Sequence, residues 1–141
     1  MSDFIVKKTL GNHHITATVG IISPTNMPDK FVAIKNKRGW DIPGGHVQNK
    51  ENPLQTFSRE FYEETGCTLL DNAYVIAVLI SKRNPHTGIV VYTGTCKIGI
   101  FTPTNEIQTS KFVSKEQLLN IYFGDKLILH QLLDLATIKI K

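Results

Sequence analysis

The chain has 141 residues, 41% hydrophobic and 20% charged, with 16 Lys and Arg against 12 Asp and Glu for a net charge of +4. That length suits one domain, residues 1–141, and the composition excludes wholesale disorder. Two cysteines, Cys67 and Cys96, are too few for a disulfide framework or a four-thiolate zinc site and read as reduced, buried thiols.

Ile15 to Ser23 and Lys30 to Lys35 carry the β-branched residues of strands, with a Pro-rich turn between them. Gly39 to Gln48 reads as a loop centred on Pro43-Gly44-Gly45. A helix should follow: Asn52 is a good N-cap, Pro53 suits the first turn, and Gly66 is a natural stop. Leu54, Phe57, Ser58 and Phe61 fall on one stripe, expected to face the core. Ala73 to Lys82 and Gly88 to Phe101 then read as long strands joined by a hairpin loop, with a short strand at Lys111 to Val113. Ser114 begins a helix, and a last helix spans about Asp125 to Ala136. That last helix is apolar almost all round, so either the monomer or a second copy must cover it, and a homodimer is one expectation. No basic-then-apolar leader opens the chain, and the longest apolar run, Ala73 to Ile80, is shorter than the roughly 20 residues a membrane span needs. A soluble, cytoplasmic protein is expected.

The densest chemistry lies in one helix. At about 100° per residue, Glu60, Glu63 and Glu64 fall within one sector, expected on the face opposite Leu54, Phe57 and Phe61. Three carboxylates so close repel one another. They either sit in water or hold a divalent cation, and an all-oxygen set favours Mg²⁺, Mn²⁺ or Ca²⁺ over zinc.

The wider pattern decides between these. Gly45, five residues, Glu51, seven residues, then Arg59-Glu60-Phe61-Tyr62-Glu63-Glu64-Thr65-Gly66-Cys67 resembles the Nudix hydrolase box, filling every fixed position from 45 to 67. Departures are mild: Phe61 and Cys67 stand where Ile, Leu or Val is usual, and Lys50 where many members have Gly. Trp40 to Gly45 resembles the family's lead-in, and Glu106 to Gln108, Phe112-Val113 and Glu116 to Leu118 resemble its later segment.

The resemblance implies an α/β (α+β) fold, an α/β/α sandwich with a mixed β-sheet. It implies Mg²⁺-dependent hydrolysis, with Mn²⁺ as a substitute, of the diphosphate linkage in a nucleoside diphosphate linked to X. Metal ligands would be the Gly44 carbonyl with Glu60, Glu63 and Glu64. Glu63 or Glu106 would be the catalytic base. Arg59 joins the catalytic group through its pairing with Glu51, which fixes the loop to the helix, while Gly45 and Gly66 shape the motif. Chemistry of the side chains adds candidate substrate contacts: Lys35 or Arg38 at phosphate, Trp40 or Phe112 stacked on a base. His46 follows the glycine turn and reads as a bystander.

A small-molecule nucleotide is thus the expected partner, with no membrane and no specific nucleic acid. A nucleoside triphosphate, oxidised or not, cut to monophosphate and pyrophosphate leads; ADP-ribose or a nucleotide sugar follows. A non-catalytic nucleotide-binding module of the same fold is the other reading, opposed by the intact Glu set. A nucleic-acid module has no motif to support it beyond the positive charge.

Overall fold

The computed structural model describes residues 3–8 and 11–138. Among the described residues, two sheets and three helices build a mixed α+β sandwich. The larger sheet contains β1 (Phe4–Lys7), β2 (His14–Pro24), β5 (Gly44–His46), β6 (Thr68–Leu69), β7 (Tyr74–Ser81) and β8 (Thr87–Lys97). Its order is β1-β7-β8-β2-β5, with β6 pairing on β8. β2 and β8 run parallel while the other pairs run antiparallel, so the sheet is mixed. The smaller sheet has the order β4-β3-β9, from β4 (Gly39–Asp41), β3 (Lys30–Asn36) and β9 (Thr109–Ser114), all antiparallel.

Helix α1 (Pro53–Thr65) forms where its ends are specified. The Asn52 side chain accepts the Gln55 N–H, the Gln55 side chain accepts the Asn52 N–H, and Gly66 closes the helix at φ 75°. Helix α2 (Lys115–Ile121) starts on the same reciprocal cap between Ser114 and Gln117. Helix α3 (Lys126–Ile138) starts on Asp125, whose carboxylate accepts the N–H groups of Leu127 and Ile128 at 2.9 and 3.1 Å.

Two apolar clusters hold the layers together. One joins Ile21, Phe31, Ala33, Ile76, Ala77 and Val91 to α2 and α3 through Leu118, Leu129, Leu132 and Leu133. The other joins Ile22, Val32, Val90 and Tyr92 to Phe57 and Phe61 of α1. The Phe57 ring lies 5.4 Å from that of Tyr92 and 5.7 Å from that of Phe61. Both phenylalanines are completely buried, and full burial of such side chains stabilises by roughly 1.5–3 kcal/mol each. They fix the roll of α1, and with it the direction of every carboxylate on the helix.

Several elements differ from the sequence expectation. β1 was not anticipated. β4 and β5 occupy what reads as a loop, because a Gly-Gly segment has no strand propensity and its pairing with β2 is made by distant residues. β8 ends at Lys97, and the apolar residues after it are irregular, with Ile98 and Ile100 exposed. In α1 the expected stripe is partly wrong: Leu54 and Ser58 are exposed, and the inward face is Thr56, Phe57, Phe61, Glu64 and Thr65. In α3, Ile128, Leu129, Leu132, Leu133 and Ala136 are buried within the monomer, and Leu127 is exposed. Cys67 and Cys96 are both buried free thiols. Among the described residues no helix is long and apolar enough to cross a membrane.

Candidate active site

The inward face of α1 includes an acid. Glu64 follows Phe61 by three residues and Phe57 by seven, so it shares their face, correcting the expectation that all three glutamates point away from them. It is only 9% exposed. One of its oxygens, Oε1, accepts the backbone N–H of Gly44 at 2.9 Å, tying the helix to β5. Its pKa is pushed up from 4.5 to about 8. Loss of hydration is the largest cause; the Gly44 N–H acts the other way, and the charges of Glu60, Asp41 and Glu106 add to the rise. Among the described residues, no cation forms an ion pair with it.

Glu60 and Glu63 are held differently. The Arg59 guanidinium grips Glu51 through two bonds, Nε to Oε2 at 2.8 Å and Nη2 to Oε1 at 3.0 Å. Its remaining nitrogen reaches Glu60 at 2.8 Å and Glu63 at 3.4 Å. The Thr56 hydroxyl also donates to Glu51, at 3.0 Å. Arg59 therefore joins the loop before α1 to two of the three helix acids, and its proximity lowers the Glu51 pKa to about 2. Gly45 makes room for this: a Cβ there would lie 2.5 Å from the Glu60 carboxyl carbon. Gly66 is required by its left-handed φ and by the chain crossing over it, since a Cβ would lie 2.1 Å from the Ile100 carbonyl oxygen.

A cleft of about 750 Å³ between the two sheets is lined by Glu60, Glu64, Gly44 and Gly45 together with Arg38 and Glu106. A side lobe of about 340 Å³ is lined by Glu60, Glu63, Glu64 and Glu106. Glu106 belongs to an anchored turn: the Thr104 hydroxyl accepts the N–H groups of Glu106 and Ile107 at 3.2 and 3.0 Å, and Ile107 is buried.

Three expected substrate contacts lie elsewhere. Ile34, Asn36 and Asp41 line the cleft. Lys35 and Trp40 are cross-strand partners in the same small sheet, one residue out of step with those neighbours, so strand alternation turns both away from the cleft. Trp40 packs on the α2–α3 cluster. Phe112 pairs with Val32, deeper along the sheet, and packs on the α1 cluster. In exchange, the structure adds residues that reading the sequence missed. Asp41 lines the cleft with its pKa raised by burial, its Oδ1 accepting the Ile42 N–H at 2.8 Å. Asn36 lines it from β3. His46, read as a bystander beside the glycine turn, lines the cleft too. The alternation of Trp40 against Asp41 was the available signal, but using it needs the register of β4.

Among the described residues, no three His, Cys, Asp or Glu side chains stand close enough to grip an ion as placed. Arg59 engages Glu60, and the Gly44 N–H engages Glu64. The donor set still suits a hard divalent cation, because it is all oxygen and its buried member is crowded by negative charge.

A family model for the NUDIX domain matches residues 14–132. No curated protein matches the chain. Among solved structures, a pyrophosphohydrolase from Bacillus subtilis superposes with a TM-score of 0.70 at 14% identity, covering 96% of this chain and 90% of its own. A MutT protein from Methanosarcina mazei superposes with a TM-score of 0.64 at 16% identity, covering 94% and 100%. An ADP-ribose pyrophosphatase from Streptococcus suis shares 25% identity at a TM-score of 0.57, covering 71% and 72%. The first two likenesses speak for the fold.

Proposed function

The chain belongs to the NUDIX domain family of hydrolases, and on that premise we propose that it is a divalent-cation-dependent pyrophosphohydrolase acting on a nucleotide. The observation that carries this reading is the convergence of Glu60, Glu64 and Glu106 on one cleft, with Glu64 buried and short of positive charge. Enzymes of the family generally use divalent metals. Here Glu60, Glu63, Glu64 and the Gly44 carbonyl would hold Mg²⁺, or Mn²⁺ in its place. When bound, such an ion neutralises phosphate charge and lowers the pKa of water.

The chain's own groups do the rest. Glu106 lines the cleft beside Glu64 and takes the proton from the attacking water. Glu63, half-exposed and turned to Arg59, is the second candidate for that role. The water oxygen forms a new P–O bond, the bridging P–O bond breaks, and the bridging oxygen leaves with the other phosphoryl group. Arg59 and Glu51 hold the acids in position, and Arg38 contacts the substrate from the other wall. The whole chain, residues 1–141, would act as one domain on a small nucleotide, without a membrane or nucleic-acid partner, and a homodimer would have the exposed Leu127 of α3 to build on.

The leading substrate class is a nucleoside triphosphate, oxidised or not, giving the monophosphate and pyrophosphate. ADP-ribose or a nucleotide sugar is the second, favoured by the Streptococcus suis relative. The test is a substrate panel with Mg²⁺: triphosphates, oxidised triphosphates, ADP-ribose, dinucleoside polyphosphates and capped RNA, with products separated. One class should turn over, and Glu64→Gln should cut kcat by at least about 100-fold. Folded protein that turns over nothing with any metal would overturn the proposal in favour of a nucleotide-binding module.

A further inference from the structure

Phe123 lies outside every motif in the sequence, yet it supports the one arginine that lines the cleft. The Arg38 guanidinium carbon sits 5.0 Å from the centroid of the Phe123 ring. Among the described residues, no carboxylate forms an ion pair with Arg38. The ring therefore backs the guanidinium group, and the residue is otherwise exposed at the cleft wall.

The arrangement is built from backbone. The Asn36 side chain accepts the Arg38 N–H at 2.9 Å, which sets the turn between β3 and β4. Gly39 completes that turn at φ 133°, in a region that favours glycine, and a Cβ there would lie 3.3 Å from the Phe123 Cβ. The Phe123 N–H donates to the Trp40 carbonyl at 3.0 Å, and Tyr122 bridges to Trp40, docking the end of α2 against β4. Phe123 keeps 44% of its surface exposed.

A guanidinium grips phosphate with its edge, whereas it meets a base with its flat face. The Phe123 ring backs the Arg38 guanidinium, whose exposure at the cleft wall leaves it open to a base. The cleft also has an acidic end, Glu60, Glu64 and Glu106, where the proposed function places the phosphates. We propose that Arg38, backed by Phe123, is a stacking platform for the nucleobase and sets base preference. This rests on reading the carboxylate end as the phosphate end.

Calorimetry with GMP, AMP, CMP and UMP, which contain no diphosphate to cut, tests it against ribose 5-phosphate and pyrophosphate in Mg²⁺. The wild type should bind its best nucleotide at least about tenfold more tightly than ribose 5-phosphate. Arg38→Leu and Phe123→Leu should each weaken that nucleotide about 5- to 20-fold and ribose 5-phosphate less than about twofold. Arg38→Lys keeps the charge, loses the plane, and serves as the folded control; it should resemble Arg38→Leu. Equal weakening of nucleotide and ribose 5-phosphate, wild-type affinity in Arg38→Lys, or no preference of the wild type for a nucleotide would each overturn the platform. A chain that binds nucleotides through Arg38 but turns over no substrate would leave the platform standing and refute the hydrolase reading alone.

Discussion

Glu64→Gln should make the metal-free protein more stable at alkaline pH while removing its response to metal. Folded, Glu64 titrates near 8, against 4.5 for an unperturbed glutamate. Below pH 4.5 both folded and unfolded chains carry the proton, and the group has no effect on the pH dependence. Between 4.5 and 8 the unfolded chain releases it first, so the folded state binds more protons and stability falls as pH rises. At about 1.4 kcal/mol per pH unit, the full gap corresponds to about 5 kcal/mol. That is a ceiling, because Glu60 can swing away and water can enter the cleft; about 1–3 kcal/mol should remain. Glutamine carries no charge, and its carbonyl oxygen can still accept the Gly44 N–H. In EDTA the two proteins should melt alike near pH 5, and the variant about 3–9 °C higher at pH 8.5. Mg²⁺ should then raise the wild-type Tm at pH 8.5 by mass action and leave the variant nearly unmoved. Melting curves that stay parallel from pH 5 to 8.5, or an equal response to Mg²⁺ in both proteins, would refute the argument.

Glu51 has the opposite sign: its pKa is lowered to about 2 by Arg59, so its stabilisation is complete above 4.5 and lost as pH falls toward 2. Glu51→Gln should melt below the wild type at pH 7, with the difference closing by about pH 2. Gly45→Ala places a methyl against the Glu60 carboxyl, and steady-state kinetics on the substrate the panel identifies should show kcat/KM falling by about 100-fold or more. Lys50 has φ 68°, where a side chain is strained, so Lys50→Gly should raise the urea-unfolding free energy by about 0.5–1 kcal/mol.

Local signals in the sequence identified α1 almost to the residue, because its cap, first-turn proline and terminal glycine are all within the segment. The Arg59–Glu51 pairing, which spans eight residues, was implied by the resemblance to the family's box. What the sequence did not show depends on distant partners. β5 is a strand only because β2 lies beside it, and Phe123 reaches Arg38 only because its backbone docks on Trp40. Trp40 and Phe112 are the aromatic residues a reader would choose for a base, yet register turns one away and the other, half-buried, packs on the α1 cluster. Ile98 to Phe101 has the composition of a strand and crosses α1 instead, with Ile100 in contact with Gly66. Glu64 is the most instructive case. Grouping it with Glu60 and Glu63 in one helical sector suggested the face opposite the phenylalanines, whereas its spacing from Phe57 and Phe61 places it inside.

The parallel pairing of β2 with β8 also bears on how the chain is assembled. Ile21 and Thr93, which share a buried hydrogen bond across that pair, are 72 residues apart. Parallel strands this distant close a large loop before any contact offsets the lost entropy, which makes the step slow. Helix α1 is complete in sequence long before then, but its phenylalanines have no Tyr92 to pack on until β8 joins. During synthesis, the acidic helix therefore emerges first and waits, and Glu106 closes the cleft only after β8 has left the ribosome. The acidic cleft thus arrives late, as a property of the finished sandwich.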